Sequence, residues 1–271
     1  MTSDDHIWDA LRRLTTARIG LRRAGAGLAT APLLEFRLAH ARARDAVHEP
    51  LDAARLATEL ATLGSPIVTI ASAAGDRPTY LMRPDLGRSL SADTHAALAP
   101  YRGEYDIVFV IADGLSAGAV MRHAPPLLAQ VLPRLHAKGF NLGPFVLVRL
   151  GRVAVGDAVA EALGAKCVAI LIGERPGLSA PDSMGAYLTW RPHTGTTDAD
   201  RNCISNIRPA GIDYHSAGFT IVHLLAAMRA RGLSGVGLKD ESDRPLIGNA
   251  GYEVTASSTI RDAPMLSAPK A

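Results

Sequence analysis

ILIGERPGLSAPDSMGAYLTWRPHTGTTDADRNCISNI, residues 170–207, starts inside an apolar run. That run covers residues 167–173, and we predict that it is a strand. Lys166 and Glu174 bound this strand. A short, wholly apolar run between charged residues is typical of a strand buried on both faces, as in a parallel sheet. The next residues, ERPG at 174–177, place both signs of charge at the strand's carboxyl end, where open α/β sheets bind ligands. This stretch therefore predicts a parallel sheet and a binding site at one edge of it.

The segment that surrounds this strand alternates between apolar strands and helices. We predict strands at residues 107–112, 145–148 and 185–190, and helical segments that end at His136 (after an interruption at Pro125 and Pro126), at Gly164 and at Arg231. Residues 191–202 and Cys203 are expected in a loop. Strand–helix alternation of this kind predicts a doubly wound, Rossmann-like α/β domain over residues 101–241.

Residues 1–100 have a different pattern. Apolar side chains at helical spacing predict helices at residues 3–14, 32–47 and 51–63 and one more that ends near Leu98. Residues 66–82 are expected to form a short β-hairpin. We therefore predict a small, mainly α-helical N-terminal domain. Residues 242–271 are polar and small without periodicity, which indicates a loosely held C-terminal tail.

Composition excludes several classes of function. The chain has 271 residues and a net charge of +3, which is too small to indicate a nucleic-acid partner. No apolar run approaches the ~20 residues of a membrane span, and the first six residues lack the pattern of a secretory signal. Two cysteines, Cys167 and Cys203, do not form a disulfide framework. We expect a reduced, cytoplasmic protein without a membrane partner.

GLSAG at residues 114–118 matches the G-x-S-x-G motif of hydrolases. It lies between a predicted strand and a predicted helix, as a nucleophile elbow does. A hydrolase sheet, however, needs several strands before its nucleophile, whereas mostly helical sequence precedes Ser116. A free-standing α/β hydrolase that uses Ser116 stays an alternative; a polar rim of a ligand cleft or a capped helix start is the other interpretation.

Asp213, His215 and Gly218 spell D-x-H-x-x-G, a pattern with which one class of cobalamin proteins places a histidine on cobalt. In that class the motif follows the first strand of its domain, whereas here only one helix and a tail remain. Asp213 also suits a plain helix N-cap. The nine histidines are scattered without metal-ligand spacing, so we predict no protein metal site.

Several long motifs resemble the small (light) subunit of ethanolamine ammonia-lyase. They are GERPGL at residues 173–178, SMGAYLTW at 183–190, TDADRNCISNIRP at 197–209, DGLSA at 113–117, RLGRV at 149–153 and SGVGLKD at 234–240. The resemblance covers about residues 10–240 with the motifs in order. It implies an adenosylcobalamin enzyme that converts ethanolamine to acetaldehyde and ammonia by a radical mechanism.

The resemblance also implies how this chain takes part. A larger subunit, a β/α barrel, would hold ethanolamine, and cobalamin would lie where the two chains meet. Six copies of each subunit would form a dodecamer. By residue-to-residue matching, Val153, Glu174 and Cys203 would contact the cobalamin, and this chain would supply no catalytic residue. A non-catalytic cobalamin-binding protein is the remaining alternative.

Two of these residues also have plainer interpretations. Glu174 could belong to a surface ion pair, and Cys203 could be a small buried filler. The N-terminal extension that some family members use to enter bacterial microcompartments is missing from the sequence, which argues against encapsulation and leaves a microcompartment location as an open expectation.

Overall fold

A six-stranded sheet with helices on both faces forms the centre of the chain. The computed structural model describes residues 3–240, so the predicted tail at 242–271 lies outside the described residues. The strands are β1 (Arg23–Ala24), β2 (Gly27–Leu28), β3 (Ile67–Ala71), β4 (Ile107–Ala112), β5 (Leu142–Arg149), β6 (Cys167–Gly173), β7 (Met184–Trp190) and β8 (Arg201–Ile207). The helices are α1 (Ser3–Arg12), α2 (Thr30–His48), α3 (Ala53–Ala61), α4 (Arg77–Met82), α5 (Pro84–Gly87), α6 (Thr94–Leu98), α7 (Ala117–Ala137), α8 (Val155–Leu163) and α9 (Tyr214–Arg231).

The sheet is parallel on one side and antiparallel on the other. Its strand order is β3-β5-β4-β6-β7-β8, and β1 and β2 form a separate two-stranded sheet. The first four strands run parallel, whereas β7 is antiparallel to β6 and β8 is antiparallel to β7. Two successive reversals make β8 run in the same direction as β6. The carboxyl ends of β4, β5, β6 and β8 therefore lie at one edge of the sheet.

Two apolar layers enclose the sheet. On one face, β-strand side chains pack with residues of α3, α7 and α9, and on the other face they pack with residues of α6 and α8. Every residue of β4 and of β6 is buried, as the apolar runs predicted. Burial of this kind contributes ~25 cal/mol for each Å² of apolar surface removed from water. The mixed α/β class with a mostly parallel, helix-flanked sheet is confirmed.

The expected hairpin at residues 66–82 is wrong. Its first half is β3, which pairs with β5 in parallel, and its second half is helix α4. The Asp76 side chain accepts the backbone N–H of Thr79 at 2.8 Å, and Pro78 lies in the first turn. A capping acid followed by a proline is a strong helix start, which outweighs the β propensity of the residues after it.

The structure differs from the prediction in three further respects. The helix expected to be interrupted at Pro125 and Pro126 is instead the continuous helix α7, which packs against α9 and against the sheet. Cys203 lies in strand β8 rather than in a loop. Strand β3, from the region predicted as a helical domain, belongs to the central sheet; the division at residue 100 stays a prediction.

Within residues 3–240, none of the helices combines the length and the apolar character that crossing a bilayer requires.

Candidate functional site

A cavity of about 230 Å³ opens at the carboxyl edge of the sheet. Loops after three parallel strands supply much of its lining: Gly114 and Leu115 after β4, Val153 and Ala154 after β5, and Gly173 and Glu174 at the end of β6. Ligands of open α/β sheets bind at this position. The structure therefore brings two of the three predicted site residues, Val153 and Glu174, to one cavity.

Close backbone packing shapes the floor of the cavity. The Leu115 N–H donates to the Gly173 carbonyl at 2.9 Å. Gly114 has a φ of 55°, and a Cβ at this position would collide with the Gly173 carbonyl. Only glycine combines this backbone conformation with such a close approach. Backbone contacts consequently hold the start of the loop after β4 against the end of β6.

Glu174 is fixed by the neighbouring antiparallel strands. Its two carboxylate oxygens accept the backbone N–H of Asn206, at 3.2 and 3.1 Å. A Cβ at Gly185 would lie 3.1 Å from Glu174 Oε1, so the glycine leaves room for the carboxylate. Glu174 forms no ion pair with any described residue, which excludes the plainer interpretation of this side chain. Its carboxylate keeps acceptor capacity for a ligand.

Cys203 joins the site through Tyr187. The two residues are directly paired across β7 and β8, and Tyr187 lines the cavity. Burial raises the pKa of the Tyr187 hydroxyl, and the neighbouring Cys203 thiol raises it further. Burial also raises the pKa of that thiol, although Cys203 as a whole residue is exposed. Cys203 is therefore not a buried filler, and both groups are neutral near pH 7.

Val153 is positioned by a stack of charged and aromatic side chains. The guanidinium groups of Arg152 and Arg77 lie 4.6 and 4.9 Å from the centre of the Tyr80 ring. The Tyr80 hydroxyl donates to the Gly151 carbonyl at 3.2 Å, and Arg152 Nη2 donates to the Tyr80 carbonyl at 3.0 Å. Burial raises the pKa of Tyr80 to about 12. Helix α4, which carries Tyr80, thus fixes the loop that presents Val153.

Asp113 connects the loop after β4 to the loop after β5. It accepts the Gly151 N–H at 3.2 Å and lies 3.6 Å from Arg77 Nη1. Arg77 also donates to the Gly114 carbonyl at 2.7 Å. Burial raises the pKa of Asp113 to about 6, against the lowering effect of Arg77. Asp113 braces the cavity, and sequence reasoning gave it no such role.

Ser116 has the environment of a helix cap. Its Oγ accepts the Ala119 N–H at 3.3 Å and donates to the Pro181 carbonyl at 3.4 Å. Among the described residues no histidine forms a hydrogen bond with it, so the general base of a hydrolase is missing there. Ser116 itself caps a helix start, while Gly114 and Leu115 of the same loop line the cavity.

The Asp213, His215 and Gly218 motif is also a cap. Asp213 accepts the Ser216 N–H at 2.8 Å, and His215 Nδ1 lies 3.0 Å from Arg134 Nη2 of α7. The cavity lining does not include His215. In the part of the chain that the structure covers, no group of three or more His, Cys, Asp or Glu side chains is arranged to hold a metal ion.

Sequence reasoning did not single out Tyr80, Tyr187, Asn206 or Arg152. Tyr187 is paired with Cys203 across β7 and β8, which the expected loop at Cys203 did not predict. The other three depend on helix α4 and on a left-handed backbone at Asn206, whose φ is 57°. Asp76 and Pro78 are a local signal for the start of α4, but no local signal identifies Tyr80, Arg152 or Asn206 as residues of the site.

Residues 5–239 match the family described as ethanolamine ammonia-lyase light chain. The small subunit of ethanolamine ammonia-lyase from Ralstonia nicotianae is 53% identical over 91% of this chain and 93% of its own length. The Azotobacter vinelandii protein of the same name is 52% identical, over 91% of this chain and 93% of its own length. A third, from Xanthomonas campestris, is 54% identical over 89% of this chain and 90% of its own length. The chain therefore belongs to the ethanolamine ammonia-lyase small-subunit family.

Proposed function

We propose that this chain is the small subunit of an adenosylcobalamin-dependent ethanolamine ammonia-lyase, a carbon–nitrogen lyase that converts ethanolamine to acetaldehyde and ammonia. It would act only in complex with a large subunit, to which it contributes one wall of the cobalamin site. The observation that carries the proposal is the meeting of Val153, Glu174 and the Tyr187–Cys203 pair at one sheet edge. Family membership supplies the reaction.

The residues at the cavity suit the periphery of a corrin. A corrin is a broad disc with neutral amide arms, which are recognised by backbone groups and by a few polar side chains. The cavity offers glycine backbone, the Glu174 carboxylate and the neutral Tyr187 hydroxyl. Its volume of about 230 Å³ holds only part of such a ligand. This agrees with a site that a second chain completes.

Each residue has a separate task in this proposal. Glu174 would accept a hydrogen bond from an amide arm or a ribose hydroxyl, with its carboxylate already oriented by Asn206. Val153 would pack against the ring, and Cys203, paired with Tyr187 across β7 and β8, would contact the cofactor beside it. When bound, adenosylcobalamin supplies a cobalt–carbon bond whose homolysis starts the radical reaction. The residues of this chain bind and orient, and none acts as acid, base or nucleophile.

The partner and location follow from the same proposal. The large subunit would be a β/α barrel that holds ethanolamine, and six copies of each chain would form a dodecamer. We further propose a cytoplasmic location, with a bacterial microcompartment as the second candidate compartment. The parallel half of the sheet would serve as a Rossmann-like unit whose carboxyl edge faces the cofactor.

Ammonia release from ethanolamine tests the proposal. This chain, a candidate large subunit and their mixture are each assayed with adenosylcobalamin. We expect turnover from the mixture alone. Turnover by this chain alone would refute it. A mixture that binds cobalamin but never releases ammonia would instead favour a non-catalytic cobalamin-binding protein.

A further inference from the structure

Three arginines line the cavity beside the proposed cobalamin-contacting residues. They are Arg88 after helix α5, Arg152 after β5 and Arg175 after β6. In the described part of the chain, the side chains of Arg88 and Arg175 form no hydrogen bond and no ion pair. Arg152 Nε is buried and has no acceptor among these residues. Guanidinium N–H donors without a described protein acceptor therefore lie together in this cavity.

The acidic residues of the cavity do not neutralise these arginines. Glu174 is engaged by the Asn206 N–H, and Asp198 lies 3.7 Å from Arg201 Nε. Neither carboxylate forms an ion pair with Arg88, Arg152 or Arg175 in the described structure, so the lining carries three arginines against two carboxylates. An anion is the ligand group that such a surface recognises, because guanidinium matches phosphate and carboxylate geometry.

Arg152 is preorganised for such a ligand. Its guanidinium stacks on Tyr80 at 4.6 Å from the ring centre, and its Nη2 donates to the Tyr80 carbonyl at 3.0 Å. A Cβ at Gly87 would lie 2.9 Å from Arg152 Cγ, so the glycine leaves the space that the arginine stem occupies. A fixed guanidinium loses little side-chain freedom when it binds an anion.

We propose that Arg88, Arg152 and Arg175 bind a phosphodiester, the one in the nucleotide loop that links the corrin to its benzimidazole. This inference rests on the proposed function. The amide arms of the corrin are neutral and need no arginine, whereas the phosphodiester carries a full negative charge. The arginines would therefore recognise the nucleotide loop, while Glu174 and Val153 contact the corrin.

Cobalamin and cobinamide separate these two contributions, because cobinamide keeps the corrin and lacks the phosphodiester. Binding of hydroxocobalamin and of cobinamide to the two-chain complex is measured by absorption titration. The variant Arg88→Gln/Arg175→Gln carries the test, because these side chains hold nothing else in the described structure. We expect its Kd for cobalamin to rise about 10-fold, and its Kd for cobinamide to change less than about 2-fold. Arg152→Gln should act in the same direction.

Two controls identify the source of the anion. Arg55→Gln, which breaks the exposed Arg55–Glu59 pair at 2.9 Å on α3, should leave both ligands unaffected. Inorganic phosphate should weaken cobalamin binding to the wild-type complex. It should not weaken cobinamide binding to the wild-type complex, nor cobalamin binding to the double variant. Phosphate that binds as tightly as cobalamin would identify a free oxyanion as the occupant and overturn the inference.

Three further results would also overturn it. Equal weakening of both ligands would place the arginines against the corrin. Dissociation of the subunits in the double variant, seen by sedimentation, would assign the arginines to carboxylates of the large subunit. An unchanged Kd for both ligands would leave the arginines without this role, while the proposed function stood. If the wild-type complex bound neither ligand, the proposed function itself would fail, and the inference with it.

Discussion

The Glu174 carboxylate holds the backbone N–H of Asn206 between its two oxygens, at 3.2 and 3.1 Å. Glu174 follows β6 and Asn206 lies near the end of β8, so the contact spans the intervening strand β7. Asn206 adopts a left-handed conformation with a φ of 57°, which asparagine tolerates better than most residues. The charged acceptor stabilises this conformation. The carboxylate is thereby oriented by the protein before any ligand arrives.

Glu174→Gln should weaken cobalamin binding to the two-chain complex by roughly 5- to 150-fold, because a buried hydrogen bond to a carboxylate contributes ~1–3 kcal/mol. Glutamine keeps an oxygen that can accept the Asn206 N–H, so the fold should persist. Absorption titration with hydroxocobalamin measures the affinity, and Glu59→Gln on the surface of α3 is the matched control. An affinity equal to that of the control variant would remove Glu174 from the site.

Ser116→Ala should keep most of the turnover of the complex, because Ser116 caps α7 and bonds to no described histidine. Loss of an N-cap costs ~1 kcal/mol, which corresponds to about 2–4 °C in Tm for a domain of this size. Ammonia release and thermal unfolding of the variant check the two expectations. Loss of turnover with an intact complex would instead support Ser116 as a catalytic nucleophile.

The central strands could be predicted from sequence because their burial is uniform. The apolar runs at residues 107–112 and 167–173 became β4 and β6 with the same bounds. Helix α4 could not be predicted in this way, because the residues after Pro78 suit a strand as well as a helix. Only the Asp76 cap and packing of Tyr80 between two arginines decide between them.

The position of the cavity, and part of its lining, could be predicted from the sequence. Glu174 follows a buried strand, and the edge of a parallel sheet is where ligands bind. Cys203 was expected in a loop, because the residues before it are polar and give no apolar pattern at the start of β8. Asn206 acts through its backbone N–H. Arg152 stacks on Tyr80, which lies 72 positions earlier in the chain. Sequence periodicity reports neither kind of contact.

Asp157→Asn should destabilise the chain by about 3–5 kcal/mol. Arg201 and Asp157 form a bidentate pair, with both hydrogen bonds at 2.6 Å, and their side chains are only 2% and 7% exposed. The substitution removes the buried carboxylate and leaves the Arg201 guanidinium with the fully exposed Asp198 carboxylate, 3.7 Å away, as its remaining ion-pair partner. Urea unfolding measures the loss. Glu59→Gln, which breaks an exposed pair on α3, should cost less than ~0.5 kcal/mol. Similar losses in the two variants would contradict the expectation.

Asp113 should make stability depend on pH in a narrow window. Burial raises its pKa from 3.8 to about 6 in the folded chain, so between about pH 4 and pH 6 the folded state binds more protons than the unfolded state. Stability from this group therefore falls as pH rises through the window, by on the order of 3 kcal/mol in all, and is constant on either side.

The test of this dependence is a difference between two chains. Other carboxyl groups, such as Asp106, have a lowered pKa and change stability in the opposite direction. Asparagine at position 113 does not titrate, so the free energy of unfolding of wild type minus that of Asp113→Asn isolates the one group. This difference should fall from pH 4 to pH 6. A constant difference would show that Asp113 is charged throughout.

His215→Ala should leave cobalamin binding and turnover nearly unchanged. The Asp213 carboxylate caps α9 through Ser216, and the imidazole lies 3.0 Å from Arg134 Nη2 on the helical layer. A cobalt-ligating histidine needs a partner that orients its second nitrogen, usually a carboxylate. Asp213 forms no such bond with the imidazole in the described structure.

The two possibilities differ in the EPR spectrum of the Co(II) state. With protein uniformly labelled in nitrogen-15 and unlabelled cofactor, the superhyperfine splitting should be the triplet of a nitrogen-14 ligand, from the cofactor's own benzimidazole. A doublet would show a protein nitrogen on cobalt. His215→Ala then separates the sources, because a doublet that survives the substitution belongs to another residue. A doublet that disappears would move the cofactor from the cavity beside Glu174 to the start of α9.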